Sequence, residues 1–470
     1  MTQKQLVTES PRGVFFWEGP MKPIVLVSAD GHAGGPIEAY RDYIEAHSPG
    51  TYERLKVEND LYVDVTSRFT KMSEETYEII DERGTLRGGG VQAVLDARKR
   101  LAEIDAEGIA AEVLFPAHQA STSPCITPAN DAYSPSEREV GARAYNRWLA
   151  DFIADGEGRF AGVADTGSSR DMDATVDEVR WVAEHGIVSI SLPNAIADPE
   201  VPPIYHERYE PFWKACADAG LVLSAHAGWG GQQGIVLKFF EAMAAAPGRF
   251  DIENLAQSDE KPEDSPLFLD LGPRRAIWQL MLGGVFDRYP DLKIVLTEVR
   301  GDWIPGTIAH LDARFDQGDT PLKMKPSEYW ARNCAVAPSS IRPSEVEMRY
   351  EIGVTRLLFG ADYPHTEGTW PNSFDWIRDA LRGVSEEEAR KILGENAIEI
   401  YGFDRAMLEK VAERIGPIPS AVLGDHAVDP RKIEHFHKRS GYSFLPEKVS
   451  TGAIDEALDE DLSQLSSAGI

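Results

Sequence analysis

The chain has 470 residues, of which 42% are hydrophobic and 27% are charged, a composition typical of folded globular proteins. Its formal net charge of −29 repels nucleic acid and anionic membrane surfaces. We therefore expect a small-molecule partner, and neither a nucleic-acid nor a membrane partner.

The first 23 residues are predicted to form an N-terminal arm, because Phe15, Phe16 and Trp17 are apolar enough to pack on the rest of the protein. Residues 1–11 lack the basic and then apolar order of a secretory signal. No apolar run approaches the roughly 18 residues of a membrane-spanning helix. We therefore expect a cytoplasmic protein.

From residue 24 onward, apolar runs alternate with stretches of helical periodicity. The pattern predicts eight strands, at 24–32, 110–115, 159–163, 187–192, 221–226, 292–298, 331–336 and 356–361. Such alternation indicates a parallel sheet, and eight units fit a closed (β/α)8 TIM barrel with long insertions in its βα loops. An open doubly wound sheet is the alternative, but no GxGxxG sequence follows the first strand.

Two long stretches interrupt the predicted barrel of residues 24–403. Residues 47–90 are polar and mixed, ending in a glycine run that we expect to be flexible, and residues 228–271 are rich in glycine at the start and acidic in the middle. Long loops on this face commonly form lids, so we expect both stretches to cover a site. Residues 404–470 are predicted to form a C-terminal extension that packs on the barrel or on a neighbouring subunit, and we expect a homo-oligomer.

Four of the predicted strands end in side chains that can bind a metal. Asp30 and His32 end the first strand, His226 the fifth, Glu298 the sixth and Asp362 the eighth. Barrel closure makes the first and eighth strands neighbours, and the period of two directs Asp30 and His32 to one face. Each residue alone is more often structural, but together they predict a divalent-metal site of nitrogen and oxygen ligands.

Five segments together carry a family pattern. They are VSADGH at 27–32, AHAG at 225–228, GVFDRYPDLKIVL at 284–296 leading to Glu298, FGADYPH at 359–365 and ENAIEIYG at 395–402. With these segments the chain resembles the amidohydrolase superfamily, in the branch that includes aminocarboxymuconate semialdehyde decarboxylase and related metal-dependent hydrolases. The resemblance covers about residues 24 to 403.

The resemblance implies a ligand set. The family usually has His-x-His on the first strand, histidine on the fifth, often histidine on the sixth and aspartate on the eighth. Here the set is Asp30, His32, His226 and Asp362, with Glu298 as an additional candidate ligand. We expect zinc. Manganese and iron are alternatives, because two carboxylates replace imidazoles here and carboxylates are harder ligands.

We expect one metal ion per chain. Some members of the superfamily bridge two metals with a modified lysine on the fourth strand, but that strand ends here in Ser191-Leu192-Pro193. A second metal would therefore need Glu298 as a bridge or as a second-site ligand.

The resemblance implies hydrolysis of an amide, ester, thioester or lactone by a metal-activated water. Asp362 would take the proton from water and pass it to the leaving group, and Glu298 would be a second acid or base if it is not a ligand. The alternative is a metal-dependent nonoxidative decarboxylase of a small aromatic or unsaturated carboxylic acid. A barrel that binds metal without catalysis is disfavoured by the number of carboxylates at the open rim.

Other polar residues at the same rim are candidates to orient the substrate. These are His118, Arg300, Trp303, His365 and Glu367. Arg300 suits a substrate carboxylate, because a guanidinium binds it through two hydrogen bonds. His365 and Glu367 are equally suited to contact Asp362 and hold it in position without binding the metal.

Overall fold

The computed structural model describes residues 22–69, 73–116, 133–193, 200–229, 268–318, 320–338, 340–365, 368–439 and 451–468. The predicted arm, apart from its last two residues, lies outside these ranges, as does most of the predicted lid at 228–271. Within these ranges, no helix is long and apolar enough to cross a membrane.

The centre of the fold is a parallel sheet whose strands pair in chain order. The strands are β1 (Leu26–Ser28, continued by His32–Ala33), β2 (Ile109–Pro116), β3 (Phe160–Ala164), β4 (Ser189–Ser191), β5 (Val222–His226), β6 (Ile294–Thr297) and β7 (Cys334–Ala337). These strands are mostly apolar and almost entirely buried, as expected for strands that helices cover.

An extended segment, residues 356–363, closes the sheet into a barrel. On one side, the Leu358 amide donates to the Val336 carbonyl over 2.9 Å. On the other side, the Ala29 amide donates to the Phe359 carbonyl over 2.7 Å, and Gly31 forms a parallel bridge with Tyr363. The segment therefore takes the place of the eighth strand, and the predicted (β/α)8 barrel is confirmed.

Helices cover the barrel and extend beyond it. The α-helices are α1 (Arg41–His47), α2 (Tyr52–Phe69), α3 (Glu74–Ile80), α4 (Ala97–Ala106), α5 (Pro135–Ala154), α6 (Met172–Glu184), α7 (Glu210–Ala219), α8 (Phe268–Leu282), α9 (Val285–Arg288), α10 (Ile304–Asp316), α11 (Pro326–Asn333), α12 (Pro343–Glu347), α13 (Arg349–Ile352), α14 (Ser373–Ala380), α15 (Glu386–Arg390), α16 (Asn396–Tyr401), α17 (Arg405–Ile415), α18 (Pro419–Val422), α19 (Pro430–Arg439) and α20 (Thr451–Ala468). Short 3₁₀ helices occupy Ile37–Tyr40, Gly90–Leu95 and Glu207–Tyr209, and a π-helix occupies Lys391–Glu395.

Several helices begin where the sequence provides a capping side chain. Ser134 and Glu137 form a reciprocal capping box at the start of α5. The Ser385 hydroxyl accepts from the Glu388 amide at the start of α15, as its start signal predicts. These caps satisfy amide groups that a helix leaves without partners, so local sequence sets where these helices begin.

The insertion at 47–90 packs above the end of the closing segment. It contains α2 and α3, and Ile80 and Leu86 join a buried apolar cluster with Tyr363 and Trp370. The glycine run that we expected to be flexible is folded into hydrogen-bonded turns, with the Gly90 amide donating to the Thr85 carbonyl over 2.7 Å. This insertion therefore holds the chain immediately after Asp362 in place.

Candidate metal centre

The predicted ligands come together at the carboxyl-terminal rim of the barrel. His32 Nε2 lies 3.1 Å from Asp362 Oδ1 and 3.6 Å from Asp30 Oδ1. His226 Nε2 lies 3.6 Å from the same Asp30 oxygen and 3.1 Å from Glu298 Oε2. Asp30 is thus central, and residues more than 300 positions apart in sequence surround one point.

The orientation of His32 is set by a backbone carbonyl. Its Nδ1 lies 2.8 Å from the Pro116 oxygen, so this nitrogen carries the hydrogen and donates it. The other nitrogen, Nε2, then directs its lone pair toward Asp30 and Asp362. This arrangement, in which one imidazole nitrogen donates to a carbonyl while the other faces the site, is typical of metal-ligating histidines.

His365 and His226 pack against the His32 ring. His365 stacks on it with ring centroids 3.8 Å apart, and its Nδ1 lies 3.0 Å from Asp362 Oδ1. The His226 ring meets His32 edge-on at 5.2 Å. His365 therefore stands beside Asp362, where the sequence allowed either a supporting or a substrate-orienting role.

Both carboxylates at the ends of strands adopt backbone conformations that favour glycine. Glu298 has φ 57° and Asp362 has φ 54°, in the left-handed region that residues with a Cβ rarely occupy. Pairing holds them there: the Glu298 amide donates to Ala337, and the Asp362 amide donates to Asp30, each over 2.9 Å. Such conformations carry strain and cluster at functional sites, where the fold over-determines them.

The rim concentrates negative charge in a buried space. Asp30 and Asp362 are fully buried, and Glu298 is 9% exposed. Burial, followed by the charge of Asp362, raises the pKa of Glu298 well above its usual value. Burial lowers the pKa of His226, but Glu298 and Asp30 outweigh it and the net shift is upward. Cations are therefore favoured among these carboxylates.

The donor set fits a divalent metal. The ligand atoms of Asp30, His32 and His226 lie within 4.8 Å of one another, as do those of a second group formed by His32, Glu298, Asp362 and His365. Two ligands bound to one ion at about 2.1 Å are themselves roughly 3 to 4 Å apart, which the separations above match. Because three of these six residues are carboxylates, the set also suits a hard ion such as Mn²⁺.

The structure describes three of the five predicted substrate-orienting residues. Arg300 is buried and donates to both carboxylate oxygens of Asp302, at 3.2 and 2.6 Å. Trp303 is buried too, with the Arg274 guanidinium 4.5 Å above its ring. His118 and Glu367 lie outside the described residues. Of the five candidates, His365 is therefore the one whose contact with a predicted ligand is seen directly.

Sequence reasoning missed side chains that support the rim. The Phe115 ring lies 4.8 Å from that of His226, and Arg100 donates to the His32 carbonyl over 2.9 Å while pairing with Glu112. Glu112 had a signal, because it is the one charged residue in the apolar run of β2. Arg100 had none, since it follows Arg98 and Lys99 on a largely charged helix.

The family model described as Amidohydrolase matches residues 94–403. The gamma-resorcylate decarboxylase of Rhodococcus jostii (strain RHA1) is 27% identical over 300 residues, which are 59% of this chain and 82% of the relative.

Solved structures resemble the fold. The 5-carboxyvanillate decarboxylase of Sphingomonas paucimobilis has a TM-score of 0.52 at 21% identity, covering 81% of this chain and 100% of that one. The dihydroxybenzoic acid decarboxylase of Polaromonas sp. JS666, solved with bound manganese and the inhibitor 2-nitroresorcinol, has a TM-score of 0.53 at 20% identity, covering 82% and 98%.

The hydrolase prediction is wrong. Two relatives that match in sequence, from Rhodococcus jostii and from Polaromonas sp., are both named gamma-resorcylate decarboxylase, after the decarboxylation of an aromatic acid. The physical reason for the error is that the same ligands serve both reactions, because a metal flanked by a carboxylate polarises a substrate oxygen in either case. Nothing in the ligand pattern by itself distinguishes attack by water from loss of carbon dioxide.

Proposed function

The chain belongs to the Amidohydrolase family, and from this premise we propose that it is a metal-dependent, nonoxidative decarboxylase of a small aromatic carboxylic acid. One observation carries the proposal: imidazoles and carboxylates converge at the rim of a chain whose relatives are named aromatic-acid decarboxylases. The proposal takes up the alternative that the sequence left open.

We assign Asp30, His32, His226 and Asp362 as ligands of a single divalent ion. Manganese is our choice in place of the zinc expected from sequence, because the set is rich in carboxylate and a structural relative binds manganese. Glu298 is assigned to the acid and base chemistry rather than to a second metal. Its contact with His226 then steadies that ligand from the side.

The reaction breaks the bond between the ring and its carboxyl carbon, carbon dioxide leaves, and the bonding electron pair stays on the ring carbon. A proton must then be added to that carbon. When bound, a divalent metal would hold substrate oxygens and withdraw electron density from them. Everything else falls to the side chains, which must orient the ring, exclude water and supply the proton.

We assign the proton to the pair formed by Glu298 and Asp362. Burial, followed by the charge of Asp362, raises the pKa of Glu298, which favours a proton held between the two carboxyl groups. Asp362 would deliver it, with His365 in contact at 3.0 Å to restore it from solvent after each turnover. Phe115, beside both His32 and His226, supplies an apolar surface for the substrate ring.

The test is a panel of hydroxylated aromatic acids, including 2,6-dihydroxybenzoate and 5-carboxyvanillate, offered to protein loaded with Mn²⁺ or Zn²⁺. We expect release of carbon dioxide and, in D2O, one deuterium at the vacated ring carbon, measured by mass spectrometry. Metal-stripped protein is the control and should release none. Absence of carbon dioxide from every acid with both metals would refute the proposal.

A further inference from the structure

A fully buried ion pair lies directly behind the candidate metal centre. Arg100 on α4 donates through Nε to Glu112 on β2 over 2.6 Å, and both side chains are 0% exposed. Removing two charges from water has a large cost that their attraction seldom exceeds, so a buried pair is weak evidence for stability. Its presence here calls for another reason.

The rest of the Arg100 guanidinium contacts two backbone segments that carry candidate ligands. Its Nη1 donates to the His32 carbonyl over 2.9 Å, and its Cζ lies 3.7 Å from the centroid of the Tyr363 ring. His32 is itself a candidate ligand, and Tyr363 follows Asp362 directly. One planar side chain therefore touches the chain on both sides of the short contact between His32 and Asp362.

The sequence between Asp30 and His32 is adapted to this pair. A Cβ on Gly31 would lie 2.9 Å from Arg100 Nη2 and 3.3 Å from Glu112 Oε1. The φ of Gly31 is not in the left-handed region, so the reason for glycine here is space and not conformational freedom. The Asp-Gly-His order thus leaves room for a charged pair beneath the ligands.

We propose that Arg100 and Glu112 are positioning residues that hold His32 and Asp362 at the separation a divalent metal requires. They bind neither metal nor substrate: Arg100 fixes the His32 backbone and the Tyr363 ring, and Glu112 fixes Arg100. The inference rests on the proposed function in so far as the positioned residues are its metal ligands. The two residues support the candidate ligands and are not themselves part of the ligand pattern.

The experiment replaces the pair by apolar side chains of similar volume, Arg100→Met with Glu112→Met, and measures Mn²⁺ binding beside thermal unfolding. Replacing a whole buried pair in this way is often neutral for stability, so we expect a folded protein. Loss of a group that orients ligands weakens metal binding, and we expect a dissociation constant about 10- to 100-fold higher. Arg100→Lys keeps the charge but not the planar fork, and should fall between parent and double variant.

The matched control is Arg159→Met, which immediately precedes β3 and whose side chain contacts the amino-terminal end of β2, away from the rim. Arg159 is also buried, donates to the Ala110 and Ile109 carbonyls over 2.7 and 3.0 Å, and pairs with Asp105 at 2.8 Å. It should lower the unfolding temperature and leave Mn²⁺ affinity unchanged. A variant that is only destabilised would therefore behave like Arg159→Met and not like the double variant.

Parental Mn²⁺ affinity in the double variant would overturn the inference, as would equal weakening by Arg159→Met. If the double variant does not fold, Arg100→Lys decides, and unchanged affinity in that variant refutes the role. Because the measurement is metal binding, a parent that binds Mn²⁺ without releasing carbon dioxide would refute the proposed function alone.

Discussion

Two regions of this protein bury carboxylates, and they do so in opposite ways. Asp461 on α20 is fully buried and accepts hydrogen bonds from Arg275, Trp278 and Gln279, at 2.9 to 3.0 Å. At the rim, Glu298 and Asp362 face each other's charge and two imidazoles. The first carboxylate is neutralised by donors of the fold, whereas the second set requires a proton or a metal ion.

The two regions also differ in the backbone conformation of their carboxylate residues. Asp461 lies within the helix Thr451–Ala468, so its backbone has the ordinary α-helical conformation. Glu298 and Asp362 both have positive φ, which costs free energy at residues other than glycine. A buried carboxylate with donors and relaxed backbone therefore indicates a structural role, and one with like-charged neighbours and strained backbone indicates a catalytic role.

The sharpest test of this comparison is Asp362→Asn. The amide keeps the shape of the side chain but removes the charge and the exchangeable proton, so turnover should fall by about three orders of magnitude or more. The fold should survive, because removing one of several crowded charges relieves repulsion. Steady-state kinetics and thermal unfolding measure both effects. Asp461→Asn is the control, and it should lower stability while leaving turnover of the folded fraction near the parent value.

The structural carboxylate is tested by Asp461→Ala. Removing it leaves the buried Trp278 indole and Gln279 amide without this acceptor, while the partly exposed Arg275 guanidinium keeps Glu460, so the free energy of unfolding should fall by about 2 to 5 kcal/mol. Urea denaturation gives this value. Asp459→Ala, on the exposed face of the same helix, should cost less than about 1 kcal/mol. Equal effects of the two variants would contradict the distinction drawn here.

The single-metal assignment is tested by Glu298→Gln. If Glu298 acts in proton transfer, the variant should bind about one ion per chain, like the parent, with turnover reduced by about 10- to 100-fold. If Glu298 bridges two metals, the ion count should instead fall by about one, because an amide is a poor substitute for a bridging carboxylate. Elemental analysis of parent and variant after dialysis decides between them.

The smallest expected effect is on the pH dependence of stability in metal-stripped protein. The pKa of Glu298 is raised in the folded state, so its contribution to stability is complete below about pH 4.5 and is lost as pH rises through the folded pKa. His226, whose pKa is also raised, acts in the same direction from about pH 6.5. Stability should therefore decline with rising pH, by at most about 1.4 kcal/mol per unit for each group.

Urea denaturation of chelator-treated protein between pH 5 and 8 measures this decline. Glu298→Gln removes one of the two titrating groups and should give a shallower slope than the parent. Identical slopes in parent and Glu298→Gln would show that the rim carboxylates are not crowded in solution.

The lid expected at 228–271 remains a prediction. The stretch at 228–271 lies, except for its ends, outside the described residues, so its covering of the site is not addressed by the structure. The insertion at 47–90 packs through Ile80 and Leu86 in one apolar cluster with Tyr363 of the closing segment. It packs on the segment that carries Asp362.

The sequence alone predicted the barrel and the residues at its rim. A buried parallel strand must be apolar along its length, so Asp30, His226, Glu298 and Asp362 stand out where such runs end. Closure of a barrel then makes one rim out of distant strand ends, which is why candidate ligands could be named without coordinates. The resemblance to the amidohydrolase superfamily supplied the rest of the predicted site.

Tertiary structure alone decided which charges serve the site and which serve the fold. Arg100 meets Glu112 and the His32 carbonyl, and Asp461 meets Arg275, only because packing brings separate elements together. Sequence shows that these residues are charged, but burial and partners set whether a charge is neutralised or left for a ligand. Those are properties of the surroundings of a side chain, and the surroundings exist only once the chain has folded.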